Sequence, residues 1–100
     1  MAIPKINELY DPILLFLAEY GDASLSEIRS KFAQIFYILE EEATARKDKR
    51  YSLFEERVNN ACFNLYYAGL IDRIYWGQYR LSESGEKTVT RGDYVDADYL

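Results

Sequence analysis

One hundred residues, 49% of them apolar and spread along the chain, fit one domain with a single core and exclude a disordered polypeptide. With no histidine and a single cysteine, Cys62, the chain has no Ser-His-Asp or Cys-His catalytic set, none of the common zinc sets and no internal disulfide. The formal net charge of −5 argues against nucleic-acid binding driven by bulk charge alone. No stretch approaches the roughly 20 apolar residues of a membrane span. The opening MAIPKINELYDP lacks the basic start and apolar run of a signal peptide. The expectation is a soluble cytoplasmic protein in which Cys62 is a small buried hydrophobe.

Residues 5–20 predict a first helix, because Ile6, Leu9, Tyr10, Ile13, Phe16, Leu17 and Tyr20 fall on one helical face. Pro12 sits inside that pattern and allows a kink or a later start near Asp11, and Gly21-Asp22 ends the helix. Ser24 and Glu27 fit a capping box that opens a second helix with Ile28, Phe32, Ile35, Phe36 and Leu39 as its stripe. The run Glu40–Glu42 reads as a solvated helix end, and residues 43–50, without apolar periodicity, read as an exposed basic loop. A third helix follows over about 52–68, with Phe54, Val58, Ala61, Leu65 and Ala68 buried and Gly69 as its stop. Leu70–Tyr75, the turn at Trp76-Gly77, and Gln78–Leu81 predict a β-hairpin. Ser82 then caps a short helix to about Thr90. The remaining RGDYVDADYL is acidic and patternless, which gives a domain over 1–90 and a tail over 91–100. Helix, helix, helix, hairpin, helix is the order of a winged helix-turn-helix, a mainly α fold with a small β-hairpin. A plain three-helix bundle would leave residues 70–81 without a role.

Charge is distributed unevenly along this fold. Residues 43–80 hold seven basic and four acidic residues, a net of +3, whereas the two flanks hold five basic and thirteen acidic, a net of −8. Arg46, Lys47, Lys49 and Arg50 precede the third helix and are candidates for backbone phosphates, with Arg73 and Arg80 on the wing strands and Trp76 at its tip. With Val58 at the centre of the buried side, Glu56, Asn60, Phe63 and Tyr67 fall opposite, flanked by Asn59 and Asn64. Asn59 and Asn60 are candidate base readers, since an asparagine amide pairs bidentately with adenine. Arg57 borders the core side, suited either to a phosphate or to an acid such as Glu27 or Asp72. Phe63, Tyr66 and Tyr67 lie outside the core stripe, the composition of a protein contact.

Several segments together carry a family likeness. Ile3-Pro4 with Leu9, Ser24-Leu25 with Glu27-Ile28, and Arg57-Val58 followed by Ala61, Leu65 and Ala68-Gly69-Leu70-Ile71 are the first of them. Gly77 with Tyr79-Arg80-Leu81 and Ser82-Glu83-x-Gly85 complete the set. Over residues 3–88 the chain resembles the N-terminal winged-helix domain of Mrr-type restriction proteins. The family usually carries a tryptophan where this chain has Asn60, and often lysines near Tyr66-Tyr67. The resemblance implies a module that contacts DNA beside a separate nuclease domain of the PD-(D/E)xK type. This chain contains no acid-x-Lys triplet, and its acid-x-Arg triplets at Glu27, Asp48 and Glu55 suit ordinary surface charge, so no enzyme is expected.

The sequence therefore predicts a non-catalytic module that binds duplex DNA through helix three, the wing and the basic loop, linked to restriction or transcriptional regulation. The alternative is a dimerisation or protein-docking module using the exposed aromatics. No cofactor, metal, membrane or small-molecule partner is expected.

Overall fold

The computed structural model describes residues 4–35 and 49–96, the backbone alone at 49–52. The first helix, α1 (Ile6–Tyr20), runs unbroken through Pro12. Its start is fixed before the proline: the Lys5 N–H donates to the Glu8 carboxylate at 2.8 Å. Leu9, Tyr10, Ile13, Leu14 and Leu17 are buried on both sides of Pro12, so the proline forfeits one backbone bond while the packed face holds the helix together.

The second helix, α2 (Leu25–Ile35), opens on the expected reciprocal cap. The Glu27 N–H donates to Ser24 Oγ at 3.0 Å, and the Ser24 N–H donates to Glu27 Oε1 at 3.2 Å. Ile28 and Phe32 carry its buried stripe, while Phe36 and Leu39 lie outside the described residues. The third helix, α3 (Lys49–Tyr67), is the longest. Phe54, Val58, Ala61, Cys62 and Leu65 are fully buried along one side of it and form the centre of the core.

Two short strands follow, β2 (Ile71–Tyr75) and β3 (Gln78–Leu81), paired antiparallel around the Trp76-Gly77 turn. Gly77 holds φ at 69°, a left-handed conformation a side chain would resist. A bulge between Arg73 and Tyr75 shifts the register, so that Tyr75 pairs Gln78 while Arg73 pairs Tyr79.

The hairpin is not alone. Ala23–Ser24 forms a further strand, β1, on the other edge of β3, giving the order β1-β3-β2 with Ala23 opposite Tyr79. Two residues are too short to display alternation, and Ser24 also serves as the cap of α2, which is why the sequence shows only the capping signal. The Leu25 N–H donates to the Gly77 carbonyl, so the start of α2 is tied to the wing turn. Among the described residues, helix, strand, two helices, then a hairpin whose return strand pairs with the first strand is the winged-helix arrangement, mainly helical as expected.

The last helix, α4 (Glu83–Arg91), is capped by Ser82, whose Oγ accepts from the Gly85 N–H at 3.0 Å and donates to the Gly69 carbonyl. Beyond it the chain returns to the core. Val95 is fully buried, and its N–H donates to Asp11 Oδ1 of α1 at 3.4 Å.

Candidate nucleic-acid interface

Helix α3 and the hairpin form one side of the molecule, and most of the candidate residues lie on these two elements. Lys49 and Arg50 are not in the loop that the sequence predicts. They open α3, which starts at Lys49, about three residues earlier than expected. Both are good helix formers, and the apolar spacing that begins at Phe54 is anchored a full turn before its first core residue. The first turn of α3 contains no acid. Arg46 and Lys47 lie outside the described residues.

The seam between α2 and α3 is polar and closed. Arg29 of α2 donates through NH1 to Asn59 Oδ1 at 3.3 Å, and its Nε lies 3.6 Å from Glu55 Oε2. The Asn59 carbonyl is thus engaged within the fold, and Glu55 faces a guanidinium. Arg29 is a positioning residue that the sequence left unmarked, because it sits on α2 and its partners lie about thirty residues away. Arg57, half-buried, donates through NH1 to the Pro4 carbonyl at 3.0 Å, a partner that neither of its sequence readings named. Asn64 donates through Nδ2 to the Tyr10 hydroxyl at 2.7 Å and ties α3 to α1.

Asn60 stays half-buried on the outer side of α3, and Phe63 and Tyr67 stand out from it at 47% and 73% exposure. Their rings lie 4.8 Å apart, and Tyr67 continues to Tyr66 at 5.6 Å. The Arg73 guanidinium of β2 sits 5.2 Å from the Tyr66 ring and 5.1 Å from the Trp76 ring. Such stacking fixes a guanidinium plane while leaving its N–H edges outward. Trp76, at the wing tip, is 90% exposed and does not fold onto the core.

Arg80 goes elsewhere. It lines a groove with Leu17, Asp22, Glu86 and Val89 between the end of α1 and α4, and it stands opposite Asp72 across the strands. The basic island of the sequence is therefore divided. Arg73 belongs to the α3 side, Arg57 turns to the amino-terminal segment, and Arg80 lies in the α1/α4 groove among carboxylates.

Burial pushes the Cys62 thiol up to about 12, with Arg29 opposing, so it is a protonated core side chain rather than a nucleophile. Among the described residues no cluster of three or more histidines, cysteines or acids could hold a metal ion. Nor is any helix among them long and apolar enough to cross a membrane. Among the described side chains, this side of the molecule presents planar rings and one stacked cation.

Comparison with known proteins finds no match among curated proteins and none among solved structures. Against family models, residues 7–91 match the Mrr N-terminal domain, from α1 through α4. That span takes in the three helices, the wing and the capped last helix just described, and the chain belongs to the Mrr N-terminal domain family.

Proposed function

We propose that this chain is a non-catalytic DNA-binding module of a restriction system, with the start of α3 and the wing as its contact surface. Family membership ties it to restriction systems, and the family's domain is a non-catalytic one. The observation that carries the reading is the first turn of α3. Lys49 and Arg50 stand there with no acid in the turn itself, and Asp48 alone separates them in sequence from Arg46 and Lys47. The amino end of a helix is its positive pole, so cations in that turn cost the helix stability. A local rule broken in this way is characteristic of a functional site. A backbone phosphate would relieve the repulsion and gain the helix dipole as well. Arg73 and Trp76 extend the surface to the wing.

The test is DNA affinity across a salt series. Changing Arg46, Lys47, Lys49 and Arg50 together to Ala should weaken duplex binding more than tenfold at low salt. The log–log salt slope should fall by about 3 to 4, at roughly 0.9 per lost phosphate contact. Melting temperature should hold or rise, since the repulsion in the first turn is gone. Unchanged affinity and slope would sink the reading. Protein docking is the second reading, favoured by the exposure of Phe63 and Tyr67 on a helix face bearing Glu56. It predicts self-association or partner binding with little salt dependence.

A further inference from the structure

From the ring ladder on α3 and the wing we infer that this face takes a DNA strand with unpaired bases, which stack on Phe63, Tyr67 and Trp76 while Arg73 holds a phosphate. The inference rests on the DNA reading above and narrows its substrate class. Phe63, Tyr67, Tyr66, Arg73 and Trp76 follow one another with each neighbouring pair 4.8–5.6 Å apart. Three of the four rings are open to solvent, at 47%, 73% and 90%.

Duplex DNA presents base edges in its grooves and hides the base faces. Flat, exposed rings have little to hold on such a surface, whereas every unpaired base offers a π-face to an aromatic platform. The cation at the centre fixes the kind of partner. Arg73 is pinned by two rings, and its N–H groups meet no hydrogen-bond or ion-pair partner among the described residues. A guanidinium oriented in this way and left open at its edge is prepared for a bidentate phosphate.

The neighbouring acids do not cancel it. None of them makes an ion pair with Arg73 among the described residues: Asp72 is the backbone register partner of Arg80, Glu55 lies 3.6 Å from Arg29, and Glu56 stands two turns before Phe63 on α3. A purely apolar partner would cover the rings and leave that cation without a counter-ion.

Trp76 is the single tryptophan of the chain, so its intrinsic fluorescence reports this site alone. The experiment titrates the whole chain with a short oligothymidylate and, separately, with a blunt hairpin duplex, following tryptophan emission and mobility in a gel. Oligothymidylate should quench Trp76 saturably. Phe63→Ala and Tyr67→Ala should each weaken its binding about five- to a hundredfold, the range of one lost stacking contact. Arg73→Lys, which keeps the charge and loses the planar fork, should weaken it several-fold. These side chains are exposed, so the variants should keep the far-ultraviolet circular dichroism of the parent.

Duplex retarded in the gel with no quenching by oligothymidylate overturns this inference and leaves the DNA reading standing. Failure of both ligands overturns both. Quenching that depends on protein concentration alone, with a doubled mass in solution, assigns the face to a second copy and also overturns it.

Discussion

The Cys62 thiol lies at zero exposure on the inner side of α3, and burial raises it from an ordinary value of 9.0 to about 12. The consequence for stability has a definite sign. The folded chain keeps a proton that the unfolded chain releases above about pH 9, so stability is full below that point and falls as pH rises toward 12. The slope is about 1.4 kcal/mol per pH unit for one such group. Burial also raises the Tyr79 hydroxyl, which adds to the fall at the alkaline end. Urea melts between about pH 8 and pH 10.5 should show this decline, and Cys62→Ala should flatten its first part. Native Cys62 should resist alkylation at about pH 8 until the chain is unfolded. That Cys62 is buried is legible from the sequence, where it sits beside the stripe of the third helix. The destination of Arg57 and Asn59 is not. Their partners, Pro4 and Arg29, lie 53 and 30 residues away and come together only when α2, α3 and the amino-terminal segment pack.

At the scale of elements, two caps hold the helices where the site needs them. The Ser24–Glu27 pair starts α2 while the same Ser24 lies in β1, so one residue couples helix onset to sheet pairing. Ser82 is buried and joins α4 to the end of the α3 turn through Gly69 and Gly85. Gly85 is required for a different reason: a Cβ there would overlap the carbonyl oxygen of Leu70. Gly85→Ala should therefore cost about 3 kcal/mol, the upper end of overpacking penalties, because the obstacle is backbone that cannot rotate away. Ser82→Ala should cost about 1–2 kcal/mol as a lost cap. Urea titration with an unchanged m-value would check both, and a Gly85→Ala protein as stable as the parent would contradict the packing described. The Ser-x-x-Glu and Gly-x-Tyr-Arg-Leu-Ser-x-x-Gly strings are readable in the sequence because caps and tight turns are local chemistry. The early start of α3 is not, since polar helix formers carry no periodicity.

Across the whole molecule, the division of charge decides what the surface can do. Arg57, Arg73 and Arg80, the cations of residues 46–80 whose side chains are described, part into three separate situations once folded, and only Arg73 of the wing strands stays beside α3. This gives a paired expectation. Arg73→Ala should weaken DNA binding and lower the salt slope by about 1, whereas Arg80→Ala should leave both within error. A gel-shift salt series on the two variants checks it, and equal losses would place both arginines on one contact surface. The return of the chain after α4 belongs to this scale too. Val95 fills a core position against α1, although no pattern in residues 91–100 singles it out, because one buried side chain in an irregular segment has no period to display.

The order of helices and hairpin, most of the helical core stripes and the absence of histidine are properties of the linear chain. Helical spacing, caps and turn residues act over a few positions and need no distant partner. Folding alone decided that Ala23–Ser24 completes a sheet, that Arg29 closes the α2–α3 seam, and that Arg73 and Arg80 part company across a hairpin. Those outcomes depend on which faces meet in space, and strand pairing, cation stacking and solvent exposure are all set by neighbours far away in sequence.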